Sequence, residues 1–383
     1  MTRTNQKIPE GWSVKKLGEM GKFVSGGTPD TEKPEYWNGD IIWLTPSEIT
    51  KLPTRFVSDS ERKITRAGLK NSSAVLLPVG SLIICTRATV GDCCINIKEV
   101  STNQGFKNLI PENSNIDFLY YMISSHKTDL IRKACGSTFL EISKHDIEKL
   151  KYSVPPLSEQ EKIAEILGTW DLAIEKLTAL IEQKKLLKKG LMQRLLTGKQ
   201  RLPGFSTPWK KFEFDAIFYT EKGIKNKQIQ TKEYQTKGRF PIVDQGKQKI
   251  IAYTDDENKL YKCTPVIVFG DHTRILKFIT FHFVIGADGT QLIKTYSEYS
   301  LVFCFYVLQN ISIPNLGYSR HMSVLKEKVF NLPPLPEQKA IADILSKADE
   351  EIDLLTRKLS ALKEQKTGLM QQLLTGKIRV KLN

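Results

Sequence analysis

Apolar residues recur at steps of four and three along two stretches of the chain. In the later stretch they are Ile341, Leu345, Ala348, Ile352, Leu355, Leu359, Leu362, Leu369 and Leu373, with Lys366 as the one polar intruder. The earlier stretch gives Ile163, Leu167, Trp170, Ile174, Leu177, Ile181, Leu191 and Leu195, where Lys184 and Lys188 interrupt the seam. A period near 3.5 residues, held over roughly four to five heptads, predicts a long coiled-coil helix in each place. Ile163, Leu167, Trp170, Ile174, Leu177, Ile181, Ile341, Leu345, Ile352, Leu355, Leu359 and Leu362 are then expected to form the core between the two helices. Each stretch follows a Pro-Pro pair and stops at Thr-Gly, as suits proline before a helix and glycine after it.

The two stretches are copies of one another. Pro155-Pro156-Leu157-Ser158-Glu159-Gln160 recurs as Pro333-Pro334-Leu335-Pro336-Glu337-Gln338, and Gly190 to Lys199 recurs as Gly368 to Lys377, both 178 residues apart without a gap. In each copy acidic residues come first and basic residues last: Glu159, Glu161, Glu165, Asp171, Glu175 and Glu182 precede Lys184, Lys185, Lys188, Lys189, Arg194, Lys199 and Arg201. The second copy keeps the order, with Glu337, Asp343, Asp349, Glu350, Glu351 and Asp353 ahead of Arg357, Lys358, Lys363, Lys366, Lys377, Arg379 and Lys381. That order suits each helix dipole and makes an antiparallel pair complementary, whereas a parallel pair would set like charge against like.

What lies outside the repeats is two stretches of domain size, rich in short apolar runs rather than helical patterns. Leu82-Ile83-Ile84-Cys85 follows a Pro-Val-Gly turn and Val266-Ile267-Val268-Phe269 follows Pro265, which predicts buried strands. Trp12 to Leu17 and Trp209 to Phe212 both set a Trp ahead of Lys-Lys and an apolar residue, so the domains look distantly related. The predicted organisation is α+β. Globular domains of mixed α/β character at 1–154 and 200–332 are separated by two long antiparallel coiled-coil helices at 155–199 and 333–383, in a pseudo-twofold internal repeat.

Charge narrows the partners. Lys and Arg outnumber Asp and Glu by 57 to 42 in 383 residues, for a net charge of +15, which favours a polyanion. Residues 155–202 carry nine bases against six acids and residues 333–383 nine against seven, leaving +10 on the remainder. No apolar run approaches the roughly 20 residues of a spanning helix, and Met1 to Glu10 is polar, so nucleic acid is expected over membrane and the cytoplasm is the expected location. Cys85, Cys93, Cys94, Cys135, Cys263 and Cys304 form no C-x-x-C pair or common zinc spacing, which predicts reduced thiols and no structural metal.

Catalytic patterns are weak. Asn331-Leu332-Pro333-Pro334 superficially suggests an adenine methyltransferase motif, but Leu332 interrupts it and its counterpart is Ser153-Val154-Pro155-Pro156, a domain-to-helix junction. No phosphate-binding loop is present, since Gly198-Lys199 and Gly376-Lys377 lack the rest of that pattern. Pro29-Asp30 with Glu61-Arg62-Lys63 could be assembled into a nuclease motif so short that chance matches are common. Gly270 to Arg274 offers an acid and a base but no nucleophile tied to them.

Taken together, the Pro-Pro-Leu-x-Glu-Gln helix starts, the Gly-Leu-Met-Gln-x-Leu-Leu-Thr-Gly-Lys ends, Trp37 to Trp43, Ser101 to Phe106, Gly270 to Arg274 and Gly286 to Gly289 resemble the specificity subunits of type I restriction-modification systems. The resemblance covers nearly the whole chain. It implies two target-recognition domains that read the halves of an asymmetric bipartite site in double-stranded DNA, and helices that set the unread spacer. It further implies two methyltransferase subunits and restriction subunits as partners. S-adenosylmethionine, ATP and Mg would sit on those partners, and this chain would hold no cofactor and catalyse nothing. Candidate DNA contacts, drawn from polar loops beside apolar strands, are Thr86, Arg87, Asn103, Gln104 and Lys107 in the first domain and His272, Thr273, Arg274, Gln291, Ser319, Arg320 and His321 in the second.

Overall fold

The computed structural model describes residues 8–134, 140–286, 288–315, 317 and 319–382. Cys135 and Ala287 of the sequence motifs lie outside the described residues. The chain divides into two compact units, Met1–Ala179 with Arg357–Asn383, and Leu180–Thr356. Each unit therefore holds one globular domain and a part of each long helix.

The first unit is built on a five-stranded sheet in the order Gly21–Ser25, Phe106–Pro111, Leu82–Cys85, Cys93–Asn96, Phe56–Val57. Its neighbours are antiparallel except the last pair. The run Leu82-Ile83-Ile84-Cys85 is uninterrupted because its strand is covered on both faces: all four residues are buried. Alternate side chains enter different cores, Leu82 and Ile84 one cluster and Ile83 and Cys85 another, as a two-residue period requires. A second sheet sets Trp37–Leu44 between Arg62–Ile64 and Val100–Thr102, with the Val100–Thr102 pairing parallel.

The second unit repeats this plan with different residues. Its main sheet runs Phe218–Thr220, Thr290–Thr295, Val266–Gly270, Leu276–Ile279, all antiparallel, so Val266–Gly270 occupies the place of Leu82–Cys85. Ile267 and Phe269 enter one cluster while Val266 and Val268 enter another. A second sheet again contains a parallel pair, Phe240–Val243 with Phe283–Ile285. The Trp-Lys-Lys segments also behave alike: Ser13–Lys16 pairs with Lys151–Val154 and Lys210–Glu213 with Val329–Leu332, each partner leading into a long helix.

The helices span Leu157–Leu195 and Leu335–Leu373, 39 residues each, or about 58 Å. Their packing departs from a simple two-helix seam. Ile163 and Leu167 join the first domain's core, and Ile341 and Leu345 join the second's, because the first turns lie against the domain that precedes them. Leu373 and Leu374 return to the first core and Leu195 and Leu196 to the second. Trp170, Ile174, Leu177, Ile352, Leu355, Leu359 and Leu362 are half-buried, while Ile181 is buried. Within each unit the segments run antiparallel, since Lys184 pairs with Glu351 as Lys188 pairs with Asp349, and Asp171 pairs with Lys366 as Glu159 pairs with Arg379.

The Pro-Pro-Leu-x-Glu-Gln motif acts as a junction. Buried Glu159 accepts a bidentate pair from Arg379 at 2.7 and 2.8 Å and the Trp12 indole N–H at 3.1 Å. Glu337, equally buried, accepts Arg201 at 2.6 and 2.7 Å and Trp209 at 3.2 Å. The next residue secures a domain helix. Gln160 accepts from the N–H of Asn115, the cap of Ile116–Ser125, and Gln338 accepts from that of Ser300, the cap of Leu301–Asn310. Gly198 and Gly376 turn the chain at left-handed φ of 72° and 68°, and at Gly376 a Cβ would also come within 2.4 Å of Pro9.

Candidate nucleic-acid interface

In the first domain, two loops meet at one end of the central strand. The Thr86 N–H donates to the Gly105 carbonyl at 2.8 Å and its hydroxyl to the same oxygen at 3.1 Å, so buried Thr86 ties the loop after Leu82–Cys85 to the loop before Phe106–Pro111. Asn103 shapes that second loop by accepting the Gly105 N–H at 2.8 Å. Gln104 is exposed and accepts the Thr28 hydroxyl. Arg87 is half-exposed and held by Glu141 through Nε at 3.0 Å and Nη2 at 2.5 Å. Lys107 stands opposite Ser25 and Ile84 on the adjoining strands. Burial pushes its ammonium below the ordinary lysine range against the support of Glu141. Arg87, Asn103, Gln104 and Lys107 thus share one end of the sheet, while Thr86 acts beneath them.

The second domain builds the corresponding end from other residues. The turn after Val266–Gly270 closes on itself, with Gly270 N–H on Ile275 and Arg274 N–H on Gly270, and carries Arg274 at φ 61°. Gln245 organises it: its side chain accepts the His272 N–H at 3.2 Å and donates to Asp288 at 2.8 Å, and its carbonyl accepts the Thr273 hydroxyl at 2.5 Å. Asp271 is buried and accepts the Met322 N–H at 2.7 Å. His321 is fully buried with Nδ1 2.8 Å from the Asp271 carbonyl, so it supports the turn from below and is not placed to meet a ligand. Ser319 and Arg320, just before it, are exposed, and Gln291 pairs with Phe269 on the next strand. Arg274 donates from Nη1 to the Ile313 carbonyl at 3.0 Å.

Several residues here escaped the sequence reading. Gln245, Thr28 and Glu141 organise the loops, and Arg62, named above only within the short nuclease-like pattern, lies exposed over the Trp37 ring at 3.8 Å. Asp244-Gln245-Gly246 does follow an apolar run, and Gly26-Gly27-Thr28-Pro29 is a turn-rich stretch, so each was visible as a loop but not as a partner of a distant one. Lys277 is nearly buried, donates to the Asp244 carbonyl at 2.7 Å, and has its ammonium pushed down by that burial. Among the described residues no group of three or more His, Cys, Asp and Glu could hold a metal ion, and no helix is long and apolar enough to cross a membrane. Cys85, Cys93, Cys94, Cys263 and Cys304 are free thiols. Burial pushes the Cys85 and Cys93 thiols up to about 12, so neither supplies a nucleophilic thiolate.

Comparison with known proteins gives this geometry a family. The type I restriction modification DNA specificity domain matches residues 9–184 and 207–364. The chain is 36% identical over 172 residues to the type I restriction enzyme MjaIX specificity subunit of Methanocaldococcus jannaschii, covering 44% of this chain and 40% of that protein. It is 36% identical over 172 residues to the EcoR124I/EcoR124II specificity subunit of Escherichia coli, covering 43% and 42%. It thus spans under half the length of these two relatives. The MjaVIII specificity subunit of Methanocaldococcus jannaschii aligns at 24% identity over 98% of this chain and 95% of its own. The fold resembles that of the type I restriction-modification S subunit from M. genitalium, with a TM-score of 0.63 and 15% identity over 100% of this chain and 99% of that one. With two matched segments that together span most of its length, the chain belongs to the type I restriction-modification DNA specificity family.

Proposed function

We propose that this chain is the DNA-reading subunit of a type I restriction-modification complex, in which each domain recognises one half of an asymmetric bipartite site. The observation that carries the reading is the pairing of one strand plan with two unlike polar loop sets. Arg87, Asn103, Gln104 and Lys107 end the first sheet, and His272, Thr273, Arg274 and Gln291 end the second. Equal frames with unlike loops read unlike half-sites. Lysine and arginine contacts to phosphate supply affinity, and the few side chains that reach base edges supply sequence.

On this reading the two 39-residue helices set the unread spacer. Two methyltransferase subunits and the restriction subunits dock on the chain and bring S-adenosylmethionine, ATP and Mg, and the assembly works on DNA in the cytoplasm. The chain itself moves no bond. Genome-wide mapping of methylated adenine in cells that express it with its cognate methyltransferase is the test. Two different half-sites at a fixed separation are expected. A single uninterrupted motif would contradict the reading, as would methyl transfer or cleavage by the purified chain alone.

A further inference from the structure

Two polar clusters interrupt the apolar seam at positions related by the 178-residue repeat. In the first unit Asp171 pairs with Lys366 and accepts the Tyr121 hydroxyl at 2.5 Å. In the second unit Asp349 pairs with Lys188 at 2.5 Å and accepts the Tyr306 hydroxyl at 2.8 Å. Each lysine also lies 5.1 Å from the centroid of the same tyrosine ring. Tyr121 belongs to the domain helix Ile116–Ser125 and Tyr306 to Leu301–Asn310. Each cluster therefore joins three elements: a domain helix, the first long helix and the second.

The lysines that looked like flaws in the heptads have a physical role. Lys366 and Lys188 are only 16% and 15% exposed, so a shifted register would leave a largely buried cation without its carboxylate. Such pairs add little net stability over apolar residues, but they penalise the wrong alignment heavily. Burial, reinforced by the facing aspartate, pushes both tyrosine hydroxyls above their ordinary range, and they stay donors at any physiological pH. The intervals also match. Asp171 precedes Lys188 by 17 positions and Asp349 precedes Lys366 by the same 17, as an antiparallel pair needs if both clusters are to close at once.

Resting on the spacer role given above to the helices, we propose that Tyr121, Asp171 and Lys366, with Tyr306, Asp349 and Lys188, determine spacer length by locking each domain to the helix pair in one register. They do so without touching DNA. The first cluster is the more strongly held, because Arg55 also donates to Asp171 at 3.2 Å and to Asp117 at 2.9 Å. The second is the one to perturb.

Tyr306→Phe and Asp349→Asn chains, each expressed with the cognate methyltransferase, are compared with the parent by methyladenine mapping. Both half-sites are expected to persist while methylation at sites with a spacer one base pair longer or shorter rises, by up to about tenfold for a lost hydrogen bond. Asp349→Glu is expected to restore the parental spacer. A variant that melts earlier yet keeps a single parental spacer would show mere packing and overturn the proposal. So would a variant whose half-sites change. Should Asp349→Asn fail to assemble, Tyr306→Phe, which removes one hydroxyl, decides the matter. A parental chain with no bipartite motif would instead remove the proposed function on which this rests.

Discussion

At the helix junctions the two halves of the chain are nearly the same molecule, and at the sheet ends they are not. Glu159 with Arg379 and Trp12 is matched contact for contact by Glu337 with Arg201 and Trp209. The loop after the central strand, by contrast, is Thr86 and Arg87 in one domain and Asp271 to Arg274 in the other. Arg87 is held by a carboxylate and the second turn by Gln245. Constraint explains the difference. A buried carboxylate that must satisfy an arginine and an indole is held to one geometry, whereas loops closed by their own hydrogen bonds can change while the strands beneath them stay fixed.

The largest effects should come from the matched parts. Leu345→Ala and Leu167→Ala each remove a fully buried side chain from the core that joins a long helix to its domain, and each should cost about 2–5 kcal/mol by denaturant unfolding. A loss in one half alone would break the symmetry of the comparison. Next come the unlike loops. Gln245→Ala should leave melting almost unchanged while weakening binding to the second half-site by about 1–3 kcal/mol in a competition assay with the assembled complex. Equal weakening on unrelated DNA would make this turn a backbone contact.

Smaller effects sharpen the account. Glu159→Gln and Glu337→Gln keep the shape but weaken both clamps, and both should lower the melting temperature by a few degrees and to a similar extent. A clear inequality would mean that one junction carries a load the other lacks. The slightest is Lys107→Ala. If Lys107 meets phosphate, the slope of log affinity against log salt should flatten by about 0.9 with no change in the preferred sequence.

The helices were legible because their signal is local and repeated. Pro155-Pro156, the heptad seam and Thr197-Gly198 mark one helix, and the same signals 178 residues later mark the other. The central strands were legible as apolar runs. Where those seams pack was not, since a period near 3.5 says that Ile163 and Leu345 face something apolar but not that it is a domain rather than a helix. The loop residues were only half legible. His272 and Arg274 stand out as polar residues beside a strand, but His321 and Thr86 are buried and bonded to Asp271 and Gly105, 50 and 19 positions away. Hydrogen bonds between distant loops leave no periodic trace.

The claim that the two domains read independently is tested most directly by exchanging residues 200–332 for the corresponding domain of a relative with a different target, then mapping methylated adenine alongside the parent. One half-site is predicted to change completely while the other half-site and the spacer persist. Alteration of both half-sites would contradict the account.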